Sequence, residues 1–425
     1  MTGADEITAH ATERSAGQAP AMTKPTTHHQ IVIIGGGTAG ITTAARLRRE
    51  LKRADIALIE PSDKHFYQPL WTLVGAGVLS KEATARNEKN YVPKGITWHR
   101  DRAATIEPDD NRVLLSSGTE LTYDYLVVAP GIQLDWHKVK GLPAALGKGG
   151  VCSNYDYNLA EYTWDTISNF AGGNAIFTNP AGQVKCGGAP QKIMYLAEEH
   201  FRKHGIRERT RVIGAFAGTK MLGVAEINLT LERIVKERDI DMRFGHNLVE
   251  ITPDRKEAIF QVNIEGHTEL VTIPYDMIHV TPPMSAPDVV KESKLAHGGG
   301  ANEGWLNVDI HTLQNPDYPN VFGLGDAAAL PTAKTGAAIR KQAPVLVKNL
   351  LAQMNQEPLK AAYDGYSSCP LITGYGRLVL AEFLYGNEYK PTFPVDQTKE
   401  RWDMYQLKRY VLPALYWHGM LRGRA

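Results

Sequence analysis

The 425-residue chain has only three cysteines, no long uncharged apolar run and almost no net charge, and each shortage excludes something. Cys152, Cys186 and Cys369 are far apart and odd in number, unlike the dense, even pattern of a secreted disulfide framework. A reducing compartment is the default, and any of the three is free to be reactive. No segment supplies the roughly 18 apolar residues needed to cross a bilayer, so no spanning helix is expected. With 47 Lys+Arg against 46 Asp+Glu the net charge is +1, which fits neither a nucleic-acid-binding polycation nor an acidic disordered chain. The polar leader lacks the apolar core of a secretory signal and the Arg-rich, acid-poor character of a transit peptide. Residues 1–28 are therefore expected to form a disordered tail, with Met22 an alternative start. At about 150 residues per domain, the length suggests roughly three units.

What is there begins with an apolar β-branched run, Gln30-Ile31-Val32-Ile33-Ile34. It is followed at once by Gly35-Gly36-Gly37-Thr38-Ala39-Gly40 and by helix-forming residues from Ile41 to Leu51. Strand, glycine turn and helix in that order supply the context that a GxGxxG match needs. Gly35 makes the tight turn, Gly37 lets the backbone approach a pyrophosphate, and Gly40 lets helix and strand pack with the helix N-terminus facing the anion. A second strand over 55–60 ends in Glu60, where a ribose-binding acid belongs; that acid weighs against a merely structural glycine turn. Farther on, a strand ends in Gly325-Asp326 ahead of a helix near 336–353. An acid at a helix start suits the ribityl and phosphate region of FAD, the plainer alternative being an N-cap.

Between these halves, residues 146–275 form a second α/β pattern, with strands at 174–178 and 210–214 and helices near 188–204 and 225–238. No GxGxxG follows its first strand, and Gly214-Ala215-Phe216-Ala217-Gly218 lacks the spacing, so no nicotinamide pocket is expected. In its place stands Val184-Lys185-Cys186-Gly187-Gly188, while Cys369 lies in Ser367-Ser368-Cys369-Pro370. The two have neither CxxC nor CxxxxC spacing. Both are expected in turns ahead of helical or apolar stretches, where a helix N-terminus, or Lys185 and Lys192 beside Cys186, favours the thiolate. A small buried hydrophobe is the plain alternative for an isolated cysteine.

The runs HFYQPLWTLVGAG, VKCGGAPQKIMYLAE, HVTPPMSAPDV, NVFGLGDAAALPTAKT, YDGYSSCPLITGYGRLVLAEF and FPVDQTKERWDMY are spread from residue 65 to 405. They resemble the type II, mitochondrial-like branch of the sulfide:quinone oxidoreductases, within the flavoprotein disulfide reductase superfamily. The resemblance implies an α/β fold with two Rossmann-like dinucleotide-binding domains, the second degenerate, plus a C-terminal membrane-facing segment. The corresponding divisions are 29–145 and 281–355 for the two parts of the FAD-binding domain, 146–280 for the second Rossmann-like domain, and 356–425 for the redox-cysteine and membrane-association region.

The resemblance further implies FAD contacts at Gly35, Gly37, Thr38, Ala39, Gly40, Glu60, Gln68, Ala103, Gly325, Asp326 and Lys334, with Gln68 and Lys334 resting on it alone. It implies a redox disulfide, or a sulfur-bridged pair, between Cys186 and Cys369. Hydrogen sulfide, as hydrosulfide, attacks that bridge and leaves a persulfide on one cysteine and a thiolate on the other. Two electrons then pass through FAD to ubiquinone or another quinone, and the sulfane sulfur goes to a small-molecule acceptor. Cys152 has no part in this and is expected to be structural.

The C-terminus from Tyr405 to Arg424 mixes aromatic and aliphatic residues with Lys and Arg, which suits either a helix in the headgroup region or one docked on the protein. The resemblance favours peripheral attachment to a membrane lipid surface, at the bacterial inner or inner mitochondrial membrane. Removing residues beyond about 404 is then expected to leave FAD bound. No metal and no nucleic-acid partner is expected, and a homo-oligomer is left open. The rival readings are a type II NADH:quinone oxidoreductase-like enzyme, a flavocytochrome c sulfide dehydrogenase, and a non-catalytic flavin and cysteine redox sensor.

Overall fold

A strand covered on both faces needs no polar alternation, and β1 (Thr26–Ile34) ends in four consecutive buried residues, Ile31 to Ile34. Burying each such side chain stabilises the fold by about 1.5–3 kcal/mol relative to exposure. The computed structural model describes residues 26–264 and 267–425. After β1 the chain turns through Gly35–Gly37 into α1 (Thr38–Glu50), whose buried stripe includes Ile41, Ala44 and Leu47. It then enters β2 (Ile56–Ile59), parallel to β1 on one side, while β3 (Glu120–Val128) lies parallel to β1 on the other. Thr97–His99 extends the sheet beyond β2, and the hairpin of Ala103–Glu107 with Arg112–Leu115 borders the first half of β3.

A second parallel sheet is built around β4 (Gly173–Asn179). The helix α2 (Ala189–Lys203) leads from it to β5 (Thr210–Phe216), which pairs with β4 in parallel. Val151–Cys152, Met277–His279 and Asp241–Phe244 complete this sheet. The antiparallel strands His246–Thr252, Glu257–Ile264 and His267–Pro274 flank it, enclosing a separate apolar cluster with Ile213, Leu248 and Phe260.

The chain then returns to the first sheet. β6 (Val321–Gly323) pairs in parallel with the second half of β3, Val321 opposite Leu126, and α3 (Gly336–Met354) packs on α1. Thus two distant stretches build one sheet around an inserted unit. The antiparallel pair β7 (Ser367–Gly374) and β8 (Arg377–Phe383) follows and packs on α2. Residues from Trp402 to Arg422 form a run of short helical turns, with Tyr416, Trp417, Met420 and Leu421 buried.

Three local expectations fail. The tail expected over residues 1–28 reaches too far, since Thr26–His28 already pair with Glu120–Thr122 in the first sheet; the rest of that stretch, Met22 included, lies outside the described residues. Asp326 does not start a helix: α3 begins ten residues later, capped by Thr335 Oγ1, which accepts from the Ala338 amide at 3.2 Å. Residues 324–335 are instead held as extended and turn segments, with Leu306 and Ala328 bridged, and Pro331 interrupts any helix there. Cys369 lies inside β7 opposite Ala381, not in a turn. Pro370 is compatible with that strand because the pair has only two members, so one edge needs no ladder donor.

Among the described residues no helix is long and apolar enough to cross a membrane.

Candidate active site

The glycine turn is shaped by close backbone approach. A Cβ on Gly40 would lie 1.7 Å from the Gly35 carbonyl oxygen, and one on Gly35, which has φ +96°, would lie 2.3 Å from the Ala129 oxygen. At Gly37 the space is open to 4 Å, which is the opening a bound pyrophosphate requires. Glu60 sits beside the turn, its Oε2 accepting from the Gly36 amide and its Oε1 from the Ser62 amide, each at 2.7 Å. Burial raises its pKa, while those two amides oppose the rise.

The second half of the site arrives with Gly325. At φ +80° its virtual Cβ would be 3.1 Å from the Ala39 side chain, so Gly325 packs against the first turn of α1. Gln342 fixes the Gly325 amide at 3.0 Å. A pocket there is lined by Asp326, Lys334 and Thr335. Burial raises the Asp326 pKa, against the pull of Lys334 and Lys185, and burial lowers each of those lysines to about 8. Lys185 Nζ donates to Gln68 Oε1 at 2.7 Å, which brings Gln68 to the same group. Thr38 and Ala39 open α1, whereas Ala103, buried at the head of its hairpin strand, lies outside this hydrogen-bonded set.

The two cysteines meet beside the Lys334 backbone. Cys186 adopts φ +54°, its amide donating to the Lys334 carbonyl at 2.8 Å and its carbonyl accepting from Ala189 at 2.7 Å. This turn projects its side chain ahead of α2, and Cys186 Sγ lies 3.6 Å from Cys369 Sγ. Lys192, one turn into α2, points back and donates to Cys186 Sγ at 3.1 Å. The thiol of Cys369 and the buried ammonium together hold Cys186 well below its usual pKa, and Cys369, as donor to that thiolate, is held well above. Charge on the sulfurs in turn raises Lys192 despite its burial. Gly188 admits this contact, since a Cβ there would come within 2.6 Å of Cys369 Sγ.

Residues 29–167 match the pyridine nucleotide-disulphide oxidoreductase family. The chain is 47% identical over 397 residues to the mitochondrial sulfide:quinone oxidoreductase of Mus musculus, covering 93% of this chain and 87% of the relative. It is 48% identical to that of Dictyostelium discoideum, with 93% and 86% covered. The chain belongs to the sulfide:quinone oxidoreductase family. It is an α/β flavoprotein oxidoreductase, as that family is. The solved sulfide:quinone oxidoreductase of Aquifex aeolicus shares the fold, with a TM-score of 0.78 at 24% identity over 94% of this chain and 92% of that one.

Two residues of this family member escaped the sequence reading. Lys408 reads as a headgroup-facing charge, but it is 2% exposed and donates to the Pro69 carbonyl at 2.8 Å. Burial and the neighbouring Lys192 lower it to about 7 beside both sulfurs. Tyr416 reads as an interfacial aromatic, but its hydroxyl lies 2.9 Å from Thr38 Oγ1 at the glycine turn. Neither contact leaves a local signal, because each joins the C-terminus to a segment hundreds of residues earlier.

Proposed function

We propose that this chain oxidises hydrosulfide at a Cys186–Cys369 disulfide and transfers two electrons through FAD to a membrane quinone. The observation that carries this reading is the pair itself: two sulfurs 3.6 Å apart with a buried lysine on one of them. FAD fits the residues present: the open face at Gly37, Glu60 beside the turn, and Gly325, Asp326 and Lys334 closing from the second half. When bound, FAD supplies a two-electron acceptor for sulfur and a donor to quinone.

In the oxidised pair, hydrosulfide forms a bond to Cys369 Sγ as the bond between the cysteines breaks. The electron pair leaves on Cys186, because the thiolate stabilised by Lys192 is the better leaving group. The persulfide then stands on Cys369, and its sulfane sulfur passes to a small-molecule acceptor. Lys192 and, while protonated, Lys408 make the surroundings of the two sulfurs electropositive and draw in the anion. The two sulfurs must approach by about 1.5 Å to restore a bond of about 2.05 Å.

Contact with lipid falls to the exposed face of the C-terminal segment. Trp402 at 68%, Tyr410 at 58% and Val411 at 53% exposure are flanked by Arg409, which suits peripheral attachment. The NADH-linked alternative is not favoured, since the nine residues that separate β4 from α2 hold no GxGxxG turn.

Anaerobic addition of sulfide, then NADH, then quinone, following flavin absorbance, tests the reading. Bleaching by sulfide and recovery with quinone is the expected course. Bleaching by NADH alone, or no recovery with quinone, would overturn it.

A further inference from the structure

A buried polar chain that the sulfur chemistry does not use runs from the C-terminal segment to the dinucleotide turn. His65 is 3% exposed and Glu88 1%, and they meet through Nδ1 and Oε2 at 2.8 Å. With the carboxylate accepting there, His65 Nε2 is left to accept the Tyr416 hydroxyl proton at 2.6 Å. The Tyr416 oxygen accepts in turn from Thr38 Oγ1 at 2.9 Å. The Tyr416 ring is held independently, with its centroid 4.5 Å from that of Tyr67. Farther along, Arg46 in the middle of α1 donates to the Ala425 carbonyl at 2.6 Å, and Gly423 lies against the Ala45 and Arg46 backbone. The segment therefore grips α1 at its first turn and at its middle.

The other end of this chain lies beside the glycine turn. Among the described residues Glu88 Oε1 is buried without a partner, and a Cβ added to Gly36 would come within 3.1 Å of it. A desolvated carboxylate oxygen left unpaired is costly, and a hydroxyl-bearing ligand in the turn relieves that cost.

We propose that residues 416–425 form a cofactor latch, in which Tyr416, oriented by His65 and Glu88, holds the first turn of α1 in its binding geometry. Flavin binding and docking of this segment then favour each other by the same factor. Tyr416 is a positioning residue acting through Thr38. The latch rests on the FAD reading above, and it reverses the expectation that truncation beyond about residue 404 spares the flavin.

The test uses the full-length holoprotein and the fluorescence of FAD released on dilution. Tyr416→Phe keeps the ring and removes the hydroxyl; it should speed release about tenfold. Thr38→Val should do the same, and the double variant should release no faster than either single. Tryptic cleavage within residues 409–424 should be slower in FAD-loaded than in flavin-stripped wild type, and Tyr416→Phe should erase the difference. Release within twofold of wild type in Tyr416→Phe, or additive effects in the double variant, overturns the latch even if Tm falls, because a merely structural role lowers Tm without moving release. If Tyr416→Phe does not fold, His65→Gln carries the same expectation. Wild-type protein that carries no FAD overturns the cofactor reading itself, and the latch with it.

Discussion

The chain builds the same strand–turn–helix unit twice and uses the helix N-terminus for opposite purposes. From β1 to α1 the turn is tight and glycine-rich, and at Gly37 the space in front of the helix is open. From β4 to α2 the connection is longer, and the space in front of the helix is filled: Gly188 lies against Cys369 Sγ, and Cys186 occupies a left-handed position where a glycine would be expected. One turn leaves a vacancy for an anion, and the other supplies its own anion, a thiolate stabilised by Lys192. A shared topology therefore fixes where an anion sits, while the turn decides whether it is a ligand or a side chain.

The largest break in this comparison comes from removing the second anion. Cys186→Ser and Cys369→Ser should each slow flavin reduction by sulfide at least about 10³-fold in anaerobic stopped flow, with the flavin spectrum kept. Bleaching within tenfold of wild type in either would refute the pair. Next come the crossed glycines. Gly40→Ala should yield protein without flavin, since the new Cβ would collide with the Gly35 carbonyl. Gly188→Ala should keep its flavin but lose about 10–100-fold in sulfide reduction by displacing Cys369 Sγ. Loss of flavin in both would show that the two turns are not separable.

Lys192→Met removes the cation from Cys186, so the thiol pKa rises and alkylation near neutral pH slows about tenfold. Lys408 is a cation below about 7 and neutral above it. The rate of sulfide-dependent reduction should therefore carry a limb that falls as pH rises through that value, and Lys408→Met should lack it. A pH profile unchanged by that substitution would remove Lys408 from the site. The smallest effect belongs to Cys152, fully buried with its thiol pushed up to about 12 by burial. Cys152→Ala should leave turnover unchanged and lower stability by about 1 kcal/mol, measured by urea unfolding.

What could be read from the sequence follows the range of the interactions. The turn from Gly35 to Gly40 with Glu60 was legible because strand, turn, helix and acid lie within one local unit. The meeting of Cys186 and Cys369 was not, since 183 residues separate them; only the family resemblance paired them. The helix expected near 336–353 is found at Gly336–Met354, so the role of a helix start given to Asp326 fails on distance alone, ten residues ahead of it. Ser-Ser-Cys-Pro looks like a turn, and became a strand because the apolar residues after it pair with β8. The C-terminal run suits lipid and protein equally, because aromatic and basic residues serve both, and only the resemblance favours lipid. Tyr416 and Lys408 chose protein, whereas Trp402, Tyr410 and Val411 remain outside.

The return of β6 to the first sheet also bears on how the molecule is made. During synthesis β1, β2 and β3 emerge early, yet the place beside the second half of β3 stays vacant until Val321 leaves the ribosome, after the whole inserted unit. Ala39 waits as long for Gly325. Such late, long-range pairing is slow and leaves a strand edge exposed meanwhile, so a nascent chain of this kind depends on protection until its last third is translated. A chain that ends before Gly325 lacks the residue that packs on Ala39, and with it Cys369, half of the sulfur pair. Under the proposed function such a product is inert, unable to take electrons from sulfide without a route to pass them on.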